Sequence, residues 1–206
     1  MSVLKTDGKP KAAAVEPIKS SKDIKKIRQY LLGKENKRDY ALWVCGTNFL
    51  LRASDLINIR WVDVLYEDET FRNKFRVQEE KTDKYRDVRI NDDVREALSL
   101  LKSSLKEFNI NDYVFKSRKG HGSLTVESVH KIIKTTCRDL GIKGNYGSHT
   151  LRKTGAYKIY SDNIKDNPRI ISTLQRILNH RNQSTTLRYI GIEDDEIDDI
   201  FENMKW

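Results

Sequence analysis

The sequence predicts a mainly α-helical α+β domain in which helices precede and follow a small antiparallel β-sheet. Over most of the 206 residues, apolar side chains recur at helical spacing. Between residues 74 and 90 they alternate instead with polar ones, which is the period of a half-buried strand. The order of helices, then strands, then helices is typical of a mainly helical α+β domain.

Three helices are predicted before the sheet. Ser20 or Ser21 can cap the first helix, which continues to about Gly33. Residues 37–50 are strongly apolar and are expected to form a buried helix. A short helix is expected at about 53–59.

The change of period predicts a β-hairpin. Apolar and polar residues alternate in 74–78 and in 87–90, and the turn-prone segment 81–84 lies between them. A third strand is expected near residues 62–67. The hairpin would carry Lys81 at its tip.

Helical spacing returns after the hairpin, at about 92–107 and at 125–140. Further helices are expected at about 149–161, 168–179 and 185–190. The chain ends in residues 193–206, where four apolar residues share one face of a predicted helix: Ile197, Ile200, Phe201 and Met204.

The charge distribution favours a polyanionic partner. The chain has 39 Lys and Arg against 30 Asp and Glu, a formal net charge of +9. Seven of the acids but only one base lie in residues 193–206, so the first 192 residues carry +15. Such a surface suits nucleic acid, because each neutralised phosphate releases condensed counterions. A soluble basic protein would show the same composition, so charge alone leaves both interpretations open.

Several classes of protein are disfavoured by composition. Cys45 and Cys137 form no CxxC pair, so neither a disulfide scaffold nor a zinc site is expected. No apolar run is long enough to span a bilayer, and the N-terminus lacks a signal-type apolar region. We therefore expect a cytoplasmic protein without a membrane partner. Residues 1–18, with glycine, prolines and a run of alanines, are expected to be a flexible tail or linker.

His149 and Arg152 are three residues apart, so on a helix they share a face. A histidine beside an arginine can hold a phosphate and move a proton near it. Taken alone, this spacing is common by chance, and a surface histidine next to an ion-paired arginine explains it better.

His180 is followed nine residues later by Tyr189, with a polar turn at 181–184 between them. A tyrosine is a poor nucleophile at its ordinary pKa, so it needs neighbours that stabilise the phenolate or accept its proton. Packed cationic residues would do this. A lone tyrosine is far more often a core or surface residue.

Arg52 and Lys81 are two further candidates. Arg52 follows a strongly apolar run, and Asp55 at the i+3 position can orient its guanidinium. A helix-end arginine paired with Asp55 is the alternative, and it is compatible with a functional role. Lys81 would ordinarily be a solvated surface charge, but a loop lysine can also reach into a DNA minor groove or protonate a leaving oxygen.

Taken in order, these motifs resemble the active-site series of the tyrosine recombinases, the phage integrases and their relatives. The resemblance covers about residues 20–190 and rests on five elements: Arg52 in LLRASDLINIRW, Lys81 on the hairpin, HTLR at 149–152, LNH at 178–180 and STTLRY at 184–189. Five elements in this order are far more specific than any one of them. The resemblance implies that residues 19–192 have the catalytic-domain fold of that family.

The resemblance also implies roles for the residues. Arg52, supported by Asp55, and Arg152 would bind the non-bridging oxygens of the scissile phosphate and offset the charge of the transition state. Tyr189 would attack phosphorus in line. The product would be a 3′-phosphotyrosyl link and a free 5′-hydroxyl.

Three further roles concern protons and the phosphate. His149 would act as a general acid and base, Lys81 would protonate the departing 5′-oxygen, and His180 would hydrogen-bond the phosphate. The covalent bond would conserve the phosphodiester energy, so no ATP, metal or other cofactor is expected.

Four positions depart from the common pattern of the family. Leu50 and Asn179 stand where glycine is frequent, Asp55 where glutamate is usual, and Lys153 where histidine is common. None of these differences removes a catalytic group. They affect loop geometry more than chemistry.

Many family members carry a separate DNA-clamping domain of about 100 residues before the catalytic domain. Here about 20 residues precede the first predicted helix. Two expectations follow: a compact member similar to the fimbrial-switch recombinases, or a catalytic fragment.

The acidic segment 193–206 has two interpretations. It can be a terminal helix that packs on its own domain, or one that docks in trans on a neighbouring protomer. Its acidic side chains would repel DNA, which argues against direct contact with the duplex.

The function expected from the resemblance is site-specific DNA recombination, as an integrase or an invertase. The expected partner is double-stranded DNA with specific recombination sites, bound by a homodimer at each site and by a homotetramer at synapsis. Two alternatives are a catalytically silent DNA-binding regulator and a type IB topoisomerase-like enzyme. The complete set of six polar residues disfavours the first, and the short chain without an encircling clamp disfavours the second.

Overall fold

A computed structural model describes residues 14–118, 120, 122–192 and 201–204, and it confirms the mainly helical α+β fold. The helices before the sheet are α1 (Ser21–Gly33), α2 (Lys37–Phe49), α3 (Ala53–Ile57) and α4 (Trp61–Val64). The sheet consists of β1 (Lys74–Glu79) and β2 (Lys84–Arg89). The helices after it are α5 (Asp92–Ser103), α6 (Val126–Asp139), α7 (Ser148–Asn163), α8 (Ile170–Leu178) and α9 (Gln183–Ile190).

Polar side chains fix where several helices begin. Ser20, one of the two predicted caps, accepts a hydrogen bond from the Asp23 amide at 3.2 Å and starts α1. Asn182 does the same for α9, with 2.8 Å to the Thr185 amide. Each cap satisfies a backbone donor that the first helical turn leaves without a partner.

The predicted hairpin is confirmed, and the predicted third strand is wrong. Strands β1 and β2 pair antiparallel with Glu79 opposite Lys84, so the turn between them carries Lys81. Residues 61–64 form α4 instead of a strand, because the Asp63 carboxylate accepts the Arg60 amide at 2.7 Å and stabilises a helical turn. Leu65 makes only an isolated bridge with Phe71.

The buried side chains form two clusters. The larger surrounds α2 and contains Trp43 and Trp61, both about 1% exposed. The smaller seats α7, α8 and α9 on the end of α2, and its members are Leu50, Ala156, Ile170, Leu174, Leu178 and Ile190. Within the described ranges, no helix has the length and apolar character needed to cross a membrane.

The backbone is left-handed at both positions where the family often has glycine. Leu50 ends α2 with φ 52°, and Asn179 ends α8 with φ 53°. This conformation costs a residue with a β-carbon about 1–2 kcal/mol, and asparagine tolerates it better than most. The Leu50 side chain is 2% exposed in the smaller cluster, and its burial offsets that cost.

Residues 14–18 belong to the predicted tail, and the structure describes them packed on the domain. Ile18 is buried, and its amide donates a hydrogen bond to Thr154 Oγ1 at 2.8 Å. Residues 193–200, which hold most of the predicted acidic helix, and 205–206 lie outside the described ranges. Phe201 and Met204, from its apolar face, are exposed.

Helices α2 and α7 approach closely through glycines. A β-carbon on Gly155 would overlap the carbonyl oxygen of Thr47, and one on Gly46 would press on the Leu151 side chain. Because Arg152 lies one turn before Gly155 on α7, this contact sets its position relative to the end of α2.

We expect Gly155→Ala to lower the free energy of unfolding by roughly 2 kcal/mol and Tm by about 6 °C, because a backbone oxygen cannot move aside as a side chain can. Thermal unfolding measures the change. Gly33→Ala is the matched control, since a β-carbon there meets open space. Equal Tm values for the two variants would contradict the close contact.

Candidate active site

The six predicted residues come from five parts of the chain. Arg52 precedes α3, Lys81 lies in the hairpin turn, His149 and Arg152 lie on α7, His180 follows α8, and Tyr189 lies on α9. Arg52 and Arg152 both act electrostatically on Tyr189 and on both histidines. The structure therefore brings these five side chains into one site. Lys81 is exposed at its edge, near enough to lower the pKa of His149.

Arg152 is a buried cation, with 3% of its surface exposed. Its Nη2 donates to the carbonyl oxygen of Leu178 at 3.0 Å, which ties α7 to the segment just before His180. Its Nε has no hydrogen-bond partner among the described residues. A buried guanidinium with an unused donor is suited to bind an anion, because buried polar groups are normally all paired.

Arg52 is held by carboxylates. Its Nη1 donates to Glu79 Oε2 at 2.8 Å, whereas Asp55 Oδ2, the predicted partner, lies 3.9 Å away. Glu79 was missed in the sequence, although the strand pattern contains a signal. Phe75, Val77 and Glu79 share the inward face of β1, so the alternation places a carboxylate among core residues.

Arg86 is a second residue that the motifs did not indicate. Its guanidinium donates to the carbonyl oxygens of Ile177 at 3.2 Å and Phe49 at 2.5 Å, so it connects β2 to the ends of α8 and α2. Burial lowers its pKa to about 10, although Glu79 opposes this shift. The guanidinium stays protonated at neutral pH and adds positive charge near Arg52 and Arg152.

Both histidines are neutral at neutral pH. His149 is exposed at the rim, but the protein atoms around its ring displace water and lower its pKa, and the nearby cations, Arg152 first, lower it further. Burial, followed by Arg152 and Arg52, lowers the pKa of His180. His180 Nδ1 lies 3.1 Å from Thr186 Oγ1 on α9, which orients the ring.

Tyr189 packs between a histidine and a lysine. Its ring meets that of His180 edge to face, with centroids 4.9 Å apart, and the Lys153 ammonium lies 4.9 Å from its centroid. Lys153, a departure from the family pattern, therefore lies beside the candidate nucleophile. Burial raises the pKa of Tyr189, while Arg152 and Arg52 oppose the shift. The phenol is protonated at neutral pH, so it must lose its proton to react.

In the part of the chain that the structure describes, no three His, Cys, Asp or Glu side chains are grouped so that they could hold a metal ion. The cations of the site include Arg52, Arg86 and Arg152, with Lys153 beside Tyr189 and Lys81 at the edge.

Comparison with known proteins finds relatives over most of the chain. The model of the phage integrase family matches residues 20–196. Probable integrase/recombinase YoeC of Bacillus subtilis (strain 168) is 37% identical over 181 residues, which are 88% of this chain and 92% of that protein. Tyrosine recombinase XerC of Caldanaerobacter subterraneus subsp. tengcongensis is 29% identical over 191 residues, which are 91% of this chain and 51% of that protein.

Solved structures share the fold. XerA recombinase superposes with a TM-score of 0.68 at 23% identity, over 96% of this chain and 68% of that one. A lambda integrase dimer bound to a COC′ core site gives a TM-score of 0.64 at 16% identity, over 95% and 51%. The chain thus spans nearly all of one relative and about half of others. The family model and the identity to YoeC show that this chain belongs to the phage integrase family of tyrosine recombinases.

Proposed function

We propose that this chain is a site-specific DNA recombinase that cleaves and rejoins DNA strands through a 3′-phosphotyrosyl intermediate. The observation that carries the proposal is the placement of the Tyr189 ring against His180 and the Lys153 ammonium, near enough to Arg152 and Arg52 for both charges to oppose the rise of its pKa. A tyrosine that only fills a core has no need of cations around it. A tyrosine that attacks a phosphodiester does, because its transition state is doubly charged and the cations stabilise the charge that develops on the phosphate.

In the first step, Tyr189 Oη attacks phosphorus and the bond from phosphorus to the 5′-oxygen breaks. The phenolic proton passes to neutral His149, which acts as the base, and the departing 5′-oxygen takes a proton from Lys81. Rejoining reverses these transfers, with the 5′-hydroxyl of the partner strand as the nucleophile. Each phosphodiester lost is replaced by a phosphotyrosyl bond, so no nucleotide needs to be hydrolysed.

Arg52 and Arg152 bind the non-bridging oxygens in this scheme, and His180 donates a hydrogen bond to one of them. His180 is suited to that task because its Nδ1 lies 3.1 Å from Thr186 Oγ1, which orients the ring. The His180 and Tyr189 rings are also in edge-to-face contact. The arginines supply the positive charge that the transition state requires, and no metal or other cofactor enters the proposed reaction.

The proposed partner is double-stranded DNA with specific recombination sites. The charge of +15 over the first 192 residues supports a DNA partner. So do the fold neighbours, among them XerH recombinase bound to palindromic difH substrate and the Tn1549 transposon integrase in complex with transposon right end DNA. We further propose a dimer at each site and a tetramer at synapsis.

A nicked suicide duplex tests the proposal. The target is first selected from random DNA by binding, and a nick near the scissile phosphate lets the short 5′-hydroxyl fragment diffuse away. We expect a protein–DNA adduct that survives denaturation, with the modified peptide containing Tyr189. Specific binding without an adduct would instead indicate a silent regulator. Relaxation of supercoiled DNA without paired sites would indicate a topoisomerase.

The acid limb of the pH profile tests the role of His149. Because its pKa lies below the ordinary 6.5, the neutral form that accepts the proton persists to lower pH. We expect kcat/KM for cleavage to fall on the acid side with a midpoint below pH 6.5. His149→Asn should lose this limb, whereas His180→Asn should keep it. A midpoint above 6.5, or the same limb in His149→Asn, would contradict the assignment.

A further inference from the structure

Glu79 is a buried carboxylate at the end of β1, two residues before Lys81 in the chain. Only 3% of its surface is exposed, and a buried carboxylate is tolerated only when cations and donors surround it. Arg52 provides one such donor at 2.8 Å, and Arg86 Nε lies 4.0 Å from the other carboxylate oxygen.

The same residue organises the turn that carries Lys81. The carbonyl oxygen of Glu79 accepts the amides of Thr82 at 3.2 Å and Asp83 at 2.8 Å. Its side-chain Oε2 also accepts the Thr82 hydroxyl at 3.2 Å. One carboxylate oxygen therefore contacts both the Arg52 guanidinium and the turn around Lys81.

Asp55 makes a second connection between the same two parts of the chain. Its Oδ1 accepts the Glu80 amide at 3.1 Å, so α3 is bonded to the residue directly before Lys81. The turn is therefore held at two points, through Glu79 and through Asp55. Because there are two contacts, the hairpin cannot rotate freely about either one.

Unpaired polar atoms mark this region as unusual. Among the described residues, the buried side-chain atoms without a hydrogen bond are Asp55 Oδ2, Glu79 Oε1, Arg86 Nε and Arg152 Nε. All four belong to this one cluster of carboxylates and guanidiniums. Such atoms concentrate where a fold keeps charge in place for function and not for stability alone.

We propose that Glu79 is a positioning residue that holds Arg52 and the Lys81 turn as one unit. The clamp on the phosphate and the acid for the leaving oxygen are thereby placed together. This inference rests on the proposed function, since it assigns to Glu79 the placement of two groups used in that reaction.

Glu79→Gln tests the inference, because glutamine has nearly the same shape but no charge and accepts more weakly from Arg52 and Thr82. We expect the rate of adduct formation at saturating DNA to fall about 100-fold, which a small misplacement of reacting groups can cause. DNA affinity should stay within about twofold. Glu80→Gln is the matched control. It removes the same charge one residue away, from a side chain that is exposed. It should cleave at the wild-type rate.

A sulfur substrate separates positioning from general damage. In this substrate, sulfur replaces the 5′-bridging oxygen at the scissile phosphate. Because a thiol has a pKa of about 8.5, the leaving group departs as a thiolate and needs no proton from an acid. If Glu79 places Lys81, the loss of rate in Glu79→Gln should shrink from about 100-fold to about tenfold on this substrate. The loss that remains would come from misplacement of Arg52. An equal defect on both substrates, or a wild-type rate on the oxygen substrate, would overturn the inference.

Two checks keep the result decisive. If circular dichroism shows that Glu79→Gln is unfolded, Thr82→Val removes one donor to the carboxylate and is judged by the same comparison of oxygen and sulfur substrates. If the wild-type chain forms no adduct at Tyr189, the proposed function itself fails, and this inference fails with it. A wild-type adduct together with an unaffected Glu79→Gln would overturn the inference alone.

Discussion

Tyr189→Phe should form no covalent adduct with the nicked target duplex while binding that duplex with wild-type affinity. The substitution removes only the hydroxyl, which is the proposed nucleophile, and no other group of the site can form a tyrosyl ester in its place. The phenyl ring keeps the edge contact with His180 and the Lys153 ammonium near its face, so the local packing is retained. We therefore expect no adduct above the detection limit of the assay.

Tyr157→Phe is the matched control for this loss. Tyr157 also packs against the smaller hydrophobic cluster, so its substitution removes a hydroxyl from the same part of the domain. It should form adduct at the wild-type rate. The measurement is denaturing electrophoresis of protein and labelled DNA over time, with affinity followed by gel shift. An adduct formed by Tyr189→Phe would exclude Tyr189 as the nucleophile.

Arg152→Lys should lower the cleavage rate at saturating DNA by about 10²- to 10³-fold, although it keeps the charge. An ammonium cannot reproduce the fork of a guanidinium. Here one nitrogen of that fork is bonded to the Leu178 carbonyl, and Nε has no hydrogen bond to any residue that the structure describes. Loss of one such donor to a transition-state oxygen is commonly worth that much in rate. Burial also disfavours a charged lysine at this position more than a charged arginine.

Single-turnover cleavage measures the effect of Arg152→Lys, and Arg138→Lys on α6 is its control. The Arg138 side chain is 76% exposed and pairs with Asp139, so the same chemical change there leaves the site untouched. Far-ultraviolet circular dichroism should show both variants folded. A rate for Arg152→Lys within threefold of wild type would mean that Arg152 supplies only charge.

Much of the fold was predictable because its signals are local. Three of these signals are the cap of α1, the apolar stripe of α6 and the alternation in β1. Each depends on neighbouring residues, and the structure confirms those elements. The third strand failed for a local reason as well. Its apolar residues suit a strand or a helical turn equally, and one hydrogen bond from the Arg60 amide to Asp63 decides for the turn.

The candidate site was only partly predictable. Motifs indicated Arg52, Arg152 and Tyr189, whose identities carry chemistry that can be recognised in a sequence. Glu79 and Arg86 carry no motif, since a glutamate and an arginine in an alternating strand are ordinary surface residues. Both side chains are important because they face inward. The alternation of the strands predicts that direction, but it does not predict which residues they contact.

The sequence by itself indicated most of the helices, the hairpin and the residues that we propose to perform phosphoryl transfer. Only the tertiary structure decided that Arg52 and Arg152, one hundred residues apart, lie near enough to Tyr189 for both to act on its pKa. That arrangement depends on the close approach of α2 and α7 at Gly155 and on the buried Glu79 contact to Arg52. Both are long-range contacts that are set by packing and burial, which no local pattern of residues specifies.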